Sequence, residues 1–464
     1  MNPRGFDVVI VGGGYAGIVA ANKLADHRLR VLLLDENVRP GGQLLRSFPE
    51  TWTSNRPYGS DRWVDTGHRL IDRLRHKEIE VMNRTRVLGL YDGREILVEE
   101  AGKRVLTLRP EIILIATGAR ERFLPFKGWT LPGVLSTGAV QTLLKNFGIV
   151  ASREILIGGS GLFLLAVGRQ FLNYGGRVRA ILDQGSMLAP LPTAKLFFKH
   201  LPKFLEGARY LSKILFSRVP VRYRTGIIEA RGKEGLESVV TSRLDRTGKH
   251  VEGSEKVYRL NTLAVGHGFC PNIELAQLAG CDIEYEEGKG GWVVKVGEDL
   301  QTSIEHIFAA GETTGIGGAR KSITEGTISA LSILSRLGKT DQNKFLPRLR
   351  KERMDHMAFG KYFNGRCKIS RRVVASIPDE TVVCRCEEVS MGEIRRAVLD
   401  GADTPGALKR ALRIGMGHCQ GRTCGPILSD ILTLYTGRAA EEISPFSVRN
   451  PVKPLAIRSL LNVG

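Results

Sequence analysis

The sequence predicts an α/β protein with two strand-turn-helix-strand units and a small helical module near its C-terminal end. Two glycine-rich turns, each between an apolar strand and a helix-like stretch, predict the two units. Four late cysteines, spaced C-x-C and C-x4-C at the ends of short helices, predict the module. The chain has 464 residues, which is room for two to four domains at roughly 100 to 200 residues each.

The first unit starts with an apolar strand at Val8 to Val11, followed by GGGYAG at 12–17, a helix-like stretch and a second strand that ends in Asp35. In such a turn the first glycine allows a tight bend, and the second lets the backbone approach a pyrophosphate. The third lets the helix pack closely on the strand. An acid at Asp35 can accept hydrogen bonds from a ribose and disfavours a 2′-phosphate. The pattern therefore predicts a dinucleotide site.

A related unit begins again at residues 154–183, EILIGGSGLFLLAVGRQFLNYGGRVRAILD. The strand-turn-helix-strand outline is kept, but the glycines fit poorly. In one register the second and third glycines are replaced by Ser160 and Phe163, and in the other register the third is replaced by Leu164. Two interpretations stay open: a working nicotinamide site, or a domain that has kept only its structural role.

The remaining middle of the chain alternates strand and turn signals. Strands are predicted between Val219 and Leu260, and a strand at Ile307 to Ala310 is followed by a glycine turn and a long helix. The basic stretch from about Gly338 to Ile377 predicts an irregular connector on the surface. We find no tandem repeat or low-complexity tract.

Composition restricts the class of protein. Seven cysteines in a chain of this length do not form a disulfide framework, and four of them clustered together favour a metal centre. The formal net charge of +20 suits an acidic partner, an anionic cofactor or a membrane surface, and equally suits simple solubility. No basic motif predicts nucleic-acid binding. The N-terminus has no secretion signal and no apolar run spans a bilayer, so we expect a cytoplasmic protein.

The C-terminal module has readable helix ends. Ser390 and Glu393 predict a capping box, and Thr404 with Pro405 predicts the start of a second helix. A third helix has Pro426 near its start. The four thiols are expected on loops at helix ends, where a small helical module can bring them together. The predicted ligands are Cys384, Cys386, Cys419 and Cys424.

Four thiolates suit either zinc or a 2Fe-2S cluster. Structural zinc usually uses pairs spaced C-x2-C to C-x4-C, so the C-x-C half fits zinc less well. The pattern resembles the bacterioferritin-associated-ferredoxin-like domain, which implies a 2Fe-2S centre. Arg385 and Arg422 beside the ligands could offset the negative charge of a cluster. Cys270, Cys281 and Cys367 have no partner spacing and are interpreted as ordinary cysteines.

Two further segments resemble flavoproteins with two dinucleotide-binding domains, of the pyridine nucleotide-disulfide oxidoreductase type. They are ATGARERFLPFKGWTLPGV and TSIEHIFAAGE, whose acid reaches the flavin and is usually aspartate rather than Glu312. Disulfide reductase chemistry is not expected, because the cysteine pair that it needs is missing. The candidate cofactor-binding residues are Gly12, Gly14, Tyr15, Ala16, Gly17, Asp35, Glu36, Gly42, Gln43, Ala116, Thr117, Gly118, Gly311 and Glu312. No catalytic residue is assigned; His267, His306 and His418 are isolated and interpreted as structural.

Nearly the whole chain resembles the α subunits of heteromeric amino-acid and amine dehydrogenases. This group includes the corresponding subunits of opine oxidase and hydrogen cyanide synthase, hydroxyproline or proline dehydrogenase α and part of sarcosine oxidase α. The resemblance implies FAD or another adenine nucleotide and a 2Fe-2S cluster in this chain, FMN at a subunit interface and an FAD-containing β subunit that oxidises the substrate. The resemblance leaves open whether there is a small ferredoxin-like third subunit. It also leaves open whether the electron acceptor lies at the membrane, with this chain bound peripherally to the inner face.

The resulting prediction is an electron-transfer subunit of a dehydrogenase or oxidase acting on the CH–NH bond of an opine, glycine, proline, hydroxyproline or sarcosine. One alternative is a stand-alone NAD(P)H-dependent FAD/2Fe-2S reductase, and another is a non-catalytic scaffold. The predicted domains are 1–140 (FAD-binding, first half), 141–265 (inserted nucleotide-binding-like domain), 266–340 (FAD-binding, second half), 341–378 (basic connector), 379–440 (2Fe-2S domain) and 441–464 (C-terminal tail).

Overall fold

The computed structural model describes residues 5–45, 62–75, 79–91, 94–186, 192–339 and 343–461. The start of the predicted connector, 341–342, and the end of the predicted tail, 462–464, lie outside the described residues.

The secondary structure follows the chain in three stretches. Residues 5–142 form β1 (Val8–Val11), α1 (Tyr15–Ala25), β2 (Val31–Leu34), α2 (Arg62–Arg75), β3 (Ile79–Met82), β4 (Thr85–Tyr91), β5 (Glu95–Glu100), β6 (Arg104–Leu108), β7 (Ile112–Ile115), β8 (Ala119–Glu121), β9 (Val134–Ser136) and α3 (Thr137–Thr142). Residues 143–266 form a π-helical turn (Leu143–Phe147), β10 (Glu154–Gly159), α4 (Phe163–Asn173), β11 (Arg177–Asp183), α5 (Ala194–Lys199), α6 (Leu201–Phe216), β12 (Val221–Tyr223), β13 (Thr225–Arg231), β14 (Ser238–Arg243), β15 (Lys256–Arg259) and β16 (Leu263–Gly266).

The third stretch contains the last strand of the first parallel sheet and the whole C-terminal module. Its elements are β17 (Phe269–Pro271), α7 (Glu274–Leu278), β18 (Ile283–Glu286), β19 (Gly291–Val294), β20 (Ile307–Ala309), α8 (Ala319–Arg336), α9 (Leu346–Asn364), α10 (Arg371–Ala375), β21 (Val382–Cys384), β22 (Val389–Ser390), α11 (Met391–Leu399), α12 (Pro405–Leu412), α13 (Cys424–Thr436) and α14 (Ile457–Leu460).

Two parallel sheets of five strands each form the cores of two bodies. The first has the order β20-β7-β1-β2-β3 and the second has the order β12-β11-β10-β16-β9. The strands β1, β2 and β7 are continuous apolar runs because both faces of their sheet are covered. In each body, helices cover one face of the parallel sheet and a three-stranded antiparallel sheet covers the other, β4-β5-β6 in the first body and β13-β14-β15 in the second. The antiparallel pair β8–β17 joins the two bodies. The predicted α/β class, with two such sheets and a small helical module, is confirmed.

The first body depends on close contact between α1 and α8. A Cβ at Gly326 in α8 would lie 2.4 Å from the carbonyl oxygen of Ala16 in α1. Apolar side chains of both helices, including Ile18 and Ile328, are fully buried in one core. This close approach places the N-terminal end of α1 against the middle of α8.

Two expectations from the sequence, one about a connector and one about a domain boundary, were wrong. The basic stretch expected to be irregular contains the 19-residue helix α9. The predicted boundary put β9 in the first body, but β9 pairs with β16 in the second sheet. The residue numbers of the other boundaries stay a prediction.

Within the described ranges, no helix combines the length and apolar character that crossing a bilayer requires.

The C-terminal module is fixed to both bodies. The indole Nε1 of Trp129 donates to the carbonyl oxygen of Val382 at 2.6 Å, and Arg122 forms an ion pair with Asp430 in α13. The tail returns to the first body, where the backbone N–H of Val452 donates to the carbonyl oxygen of Leu88 at 2.6 Å.

Candidate functional site

The turn after β1 is tightly packed except at one glycine. Gly12 has a φ of +113°, and a Cβ there would lie 2.3 Å from the carbonyl oxygen of Ala116. A Cβ at Gly17 would lie 2.0 Å from the carbonyl oxygen of Gly12, so α1 touches the end of the strand. Among the described residues, nothing lies within 4 Å of a Cβ built at Gly14. A ligand can therefore approach the backbone at Gly14, at the N-terminus of α1.

Asp35 stabilises this turn from the end of β2. Its Oδ2 accepts from the backbone N–H of Gly13 at 2.8 Å, and its Oδ1 accepts from Asn37. Burial raises the pKa of Asp35 above its ordinary value, although the hydrogen bonds from Asn37 and Gly13 oppose this effect. The carboxylate lies beside the open turn, as the predicted ribose contact requires.

The loop after β2 contains three further predicted cofactor-binding residues, Glu36, Gly42 and Gln43, and their surroundings differ. A Cβ at Gly42 would lie 2.9 Å from the Cα of Gly14, so this loop borders the open position. Gln43 follows it and is exposed. Glu36 forms an ion pair with Lys453 of the tail. Glu36 therefore contacts the tail of its own chain.

The first turn of α1 also supplies Tyr15 and Ala16. Both are buried, and burial raises the pKa of Tyr15 to about 12. A Cβ at Gly311 would lie 3.0 Å from the Cβ of Ala16, so the late glycine turn packs directly on this helix.

The segment Ala116-Thr117-Gly118 is held by one asparagine from the returning chain. The side-chain amide of Asn272 donates to the carbonyl oxygen of Thr117 at 2.8 Å, and its backbone N–H donates to the carbonyl oxygen of Gly118 at 2.9 Å. The hydroxyl of Thr117 donates back to the carbonyl oxygen of Asn272 at 2.9 Å. These three bonds fix the turn where the chain enters and leaves the second body.

Glu312 lies at the N-terminus of α8. Its Oε1 accepts from the backbone N–H groups of Gly317 at 3.1 Å and Gly318 at 2.9 Å. Burial raises the pKa of Glu312, although the charge of Lys321 opposes this effect. The longer side chain thus turns back onto its own helix start, and its predicted flavin contact stays a prediction.

A buried ionic network below Glu312 was missed by the sequence analysis. Glu325 accepts from the ammonium of Lys321 at 2.9 Å and from the Nε of Arg353 at 2.8 Å, and it also accepts from the backbone N–H of Gly311 at 2.8 Å. Lys321 and Glu325 are fully buried. Burial alone would raise the pKa of Glu325, but Lys321 and Arg353 hold it below its ordinary value.

The second glycine turn adopts one of the two registers considered from the sequence. Gly159 pairs with Asp183 at the ends of β10 and β11. A Cβ at Gly159 would lie 1.8 Å from the carbonyl oxygen of Gly266, so it has the role of the first glycine. The second glycine is then Gly161 and the third position is Leu164, which is buried in the helix core.

The other register, with Ser160 and Phe163 at the glycine positions, is not adopted. Phe163 begins α4, and its ring packs edge-on against Phe269 with centroids 5.0 Å apart.

The four cysteines of the module converge as two hydrogen-bonded pairs, Cys384 with Cys424 and Cys386 with Cys419. The hydrogen bond with Cys424 lowers the pKa of Cys384 to about 5 and raises that of Cys424. Backbone N–H groups also donate to the sulfurs of Cys384 and Cys419. Hydrogen bonds of this kind stabilise cluster thiolates, so the donor set fits a 2Fe-2S centre. In the part of the chain described, no group of three or more His, Cys, Asp or Glu is arranged to hold a single metal ion.

The predicted helix ends of the module are present. Ser390 and Glu393 form the capping box of α11, and Thr404 caps α12 with Pro405 at its first turn. The expectation that all four thiols lie on loops was wrong in part. Cys384 ends the short strand β21, and Cys424 is the first residue of α13.

The predicted arginines beside the thiols have structural contacts. The guanidinium of Arg385 lies 5.2 Å from the ring centroid of Trp129, and Arg422 donates to the carbonyl oxygen of Cys419 at 3.3 Å. Arg120 donates to the carbonyl oxygen of Arg422 at 3.1 Å. These cations therefore join the cluster loops to both bodies, since Trp129 lies in the core of the second body.

A cavity of about 530 Å³ opens between the module, the tail and the first body. Its wall includes Arg120, Arg122, Lys409 and Arg422 together with the aromatic rings of Trp292 and Phe446. Arg120 pairs with Glu274, and Arg122 pairs with Asp430. The cavity thus combines positive charge with flat apolar surfaces directly beside the cluster loops.

The surroundings of His267, one of the three candidate histidines, favour its neutral form. His267 is buried, and burial together with Arg122 lowers its pKa to about 3, so it is neutral. This agrees with its interpretation as a structural residue.

Two protein-family models match this chain, one over the two nucleotide-binding-like bodies and one over the C-terminal module. A family model described as pyridine nucleotide-disulphide oxidoreductase matches residues 6–326, and a model described as BFD-like 2Fe-2S binding domain matches residues 382–433. All four cysteines of the two pairs lie within the second range.

Curated relatives extend over the full length. The chain is 31% identical to the HcnB subunit of hydrogen cyanide synthase from Pseudomonas aeruginosa, covering 98% of both chains. It is 31% identical to the opine oxidase A-subunit of Rhizobium meliloti strain 1021, covering 97% of both. Among solved structures, L-proline dehydrogenase from P. horikoshii matches with a TM-score of 0.72 and 19% identity, over 98% of this chain and 78% of that one, which shows a shared fold.

Proposed function

The chain belongs to the pyridine nucleotide-disulphide oxidoreductase family, in the group that contains the opine oxidase A-subunit and the HcnB subunit of hydrogen cyanide synthase, and from this premise we propose the following role for it. It is the flavin- and iron-sulfur-containing α subunit of a heteromeric dehydrogenase that oxidises the CH–NH bond of an amino acid or a derivative. The substrate itself binds to a partner subunit.

The observation that carries this proposal is the pairing of the four thiols in a module clamped onto a nucleotide-binding body. The residues that would hold FAD surround the open turn at Gly14, with Asp35 at one end and Glu312 at the other. When bound, FAD accepts an electron pair and the 2Fe-2S cluster carries single electrons. The chain's own contribution is to bind and orient these groups, because we find no general base beside the turn among the described residues.

The test is to purify the chain anaerobically, record its visible spectrum and add NADH and then NADPH. We expect flavin and cluster absorption that dithionite bleaches and that neither nicotinamide nucleotide changes. Rapid bleaching of the flavin band by NADH would overturn the proposal in favour of a stand-alone reductase.

The cluster assignment has its own matched pair of variants. Cys384→Ser removes one thiol of a pair and is expected to abolish the cluster absorption. Cys281→Ser changes another buried cysteine, whose thiol donates to Thr302 at 3.4 Å, and is expected to keep it. Equal cluster absorption in both variants would contradict the assignment.

We further propose that the cavity beside the cluster loops takes the phosphate and ring of an FMN. Its volume lies in the range of about 300–1,000 Å³ that is usual for small-molecule sites. Arg422 and Lys409 suit a phosphate, and Trp292 and Phe446 suit a flavin ring. Arg422→Ala is expected to weaken FMN binding at least tenfold in a fluorescence titration, whereas Arg410→Ala, on the exposed side of α12, leaves it unchanged. Equal affinities would contradict this placement.

We also propose that the hairpin of α5 and α6 lies against an anionic membrane surface. Phe198 and Phe216 are 73% and 87% exposed, and Leu205 is exposed between them. Arg209 and Lys213 are exposed on the same helix, which gives the mixture of apolar and basic side chains typical of interfacial helices. The chain should sediment with vesicles of anionic lipid but not with neutral ones, and Phe216→Ser should reduce this binding more than Leu399→Ser in α11. Binding unaffected by Phe216→Ser would contradict the proposal.

A further inference from the structure

The crevice of the second body is filled by a later part of the same chain. The segment after α9, Gly365–Cys367, lies over the turn between β10 and α4. A Cβ built at Gly161, the second glycine of this turn, would lie only 2.4 Å from the Sγ of Cys367. The thiol of Cys367 also donates to the carbonyl oxygen of Ser160 at 3.6 Å. The thiol therefore occupies the space through which a pyrophosphate approaches such a turn.

Cys367 also packs against a second backbone turn, at Gly268. A Cβ at Gly268 would lie 2.8 Å from the Cβ of Cys367. Burial raises the pKa of the Cys367 thiol to about 11, so it is a neutral packing group. Cys367 is thus enclosed between two backbone turns.

The charge of a cation in this segment also acts on the acid at the end of β11. Asp183 corresponds to Asp35 of the first body, where it would meet a ribose. The charge of Arg366 acts on the Asp183 carboxylate, and the Arg366 guanidinium donates to the carbonyl oxygen of Ser186 at 3.4 Å. The carboxylate also accepts from the backbone N–H of Gly185 at 2.8 Å. Asp183 is therefore hydrogen-bonded within the chain, and Arg366 lies beside the same loop, where a Cβ built at Gly185 would lie 3.8 Å from the Arg366 carbonyl oxygen.

The filling segment is held on both sides. Before it, the side-chain amide of Asn364 donates to the carbonyl oxygens of Gly288 at 2.9 Å and Ile316 at 3.0 Å. After it, the hydroxyl of Ser370 donates to the carbonyl oxygen of Thr247 at 2.9 Å. The segment is anchored to the first body at one end and to the second body at the other.

We propose that Arg366 and Cys367 exclude nicotinamide nucleotides from the second body, Cys367 by occupying the pyrophosphate position and Arg366 by covering the loop after β11, where a ribose would meet Asp183. The inference goes beyond the proposed function, because it concerns a site that the function does not use. It also explains why a recognisable dinucleotide unit can be retained without a nucleotide.

The test measures binding rather than reduction. NADH fluorescence and calorimetric titrations are made on the purified, flavin-loaded chain. We expect no saturation below about 1 mM for the wild-type chain. The double variant Arg366→Ala/Cys367→Gly is expected to bind NADH at least tenfold more tightly. Lys368→Ala, which removes only a surface ion pair with Glu287, is the matched control and should behave as the wild type.

Two results would overturn the inference. One is saturable NADH binding by the wild-type chain in the micromolar range, and the other is a folded double variant that binds NADH no better than the wild type. If the double variant loses its thermal unfolding transition, the single variant Cys367→Ala replaces it and the same tenfold criterion applies. NADH binding by the wild-type chain without flavin bleaching overturns this inference alone, whereas bleaching of the flavin in the wild-type chain overturns the proposed function.

Discussion

The two parallel sheets carry the same turn in the same register and use it differently. Gly12 and Gly159 both pack on a neighbouring carbonyl oxygen, with hypothetical Cβ distances of 2.3 and 1.8 Å. The two turns differ at the second glycine. The space over Gly14 is open among the described residues, whereas the space over Gly161 holds the Cys367 thiol.

The difference shows that a glycine in such a turn has two separate roles. Gly161 has a φ of +97°, which favours glycine whatever lies above it. Gly14 has a φ of −77°, which any residue adopts, so its backbone alone does not require glycine. The requirement at Gly14 therefore comes from the ligand.

The largest expected effect on flavin binding comes from filling the open position. Gly14→Ala should lower flavin affinity by about 100-fold, or about 2.7 kcal/mol, because the new methyl group lies where the pyrophosphate approaches. The fold should be unaffected, since a Cβ there meets no described atom within 4 Å. Flavin content after dialysis and the thermal unfolding temperature are the measurements. Gly207→Ala in α6, also without a neighbour within 4 Å among the described residues, is the control. Full flavin retention by Gly14→Ala would remove the distinction between the two turns.

A similarly large effect on stability is expected from the buried network of the first body. Glu325→Gln leaves Lys321 and Arg353 without their carboxylate and should reduce the free energy of unfolding by about 3–5 kcal/mol. Glu305→Gln, which changes an exposed partner of Arg336, should reduce the free energy of unfolding far less. Denaturant unfolding of the two variants compares them, and similar losses would show that the network contributes little.

The same carboxylate predicts a smaller effect of pH. Lys321 and Arg353 overcome the effect of burial, so the pKa of Glu325 in the folded state is below its ordinary value of 4.5. The unfolded chain therefore binds a proton more readily, and the stabilisation present above this value is lost as the pH falls through the folded pKa. Thermal unfolding measured from neutral to acid pH should fall less steeply for Glu325→Gln than for the wild type. Parallel curves would assign the acid sensitivity to other groups.

The smallest effect is expected at the neighbour of the first acid. Glu36→Ala removes an exposed ion pair with Lys453 and should change stability by less than about 0.5 kcal/mol, with flavin content unchanged. Asp35→Ala should lower flavin content, because Asp35 supports the turn at Gly13. If Glu36→Ala lost flavin instead, the correspondence between Asp35 and Asp183 would be wrong.

Local signals were sufficient for the first turn, the strand-turn-helix-strand unit within each sheet and the helix caps at Ser390 and Thr404, because each depends on residues close in sequence. Other strand pairs join distant residues, such as Ile113 with Ile307, and no local signal specifies them. The helix α9 was missed because few of its side chains are buried, among them Leu346 and Met357, so its apolar stripe is thin. The contact between Cys367 and Gly161 joins residues that are far apart in the sequence, and nothing local marks it.

The Lys321–Glu325 pair illustrates the same limit. Its spacing of four residues on a helix is that of an ordinary surface ion pair, yet both side chains are fully buried. Only the packing of α9 over α8, which brings Arg353 to Glu325, distinguishes the two situations.

The returning tail has a consequence for the speed of electron transfer. Phe446 packs on Gly415 and Gly421 in the module, and further along the tail Ser459 donates to Glu99 of the first body at 2.7 Å. A module tethered at both ends cannot swing toward its donor and away again. Transfer should then proceed across one constant gap, ungated by domain motion, and its rate should not depend on the viscosity of the solvent.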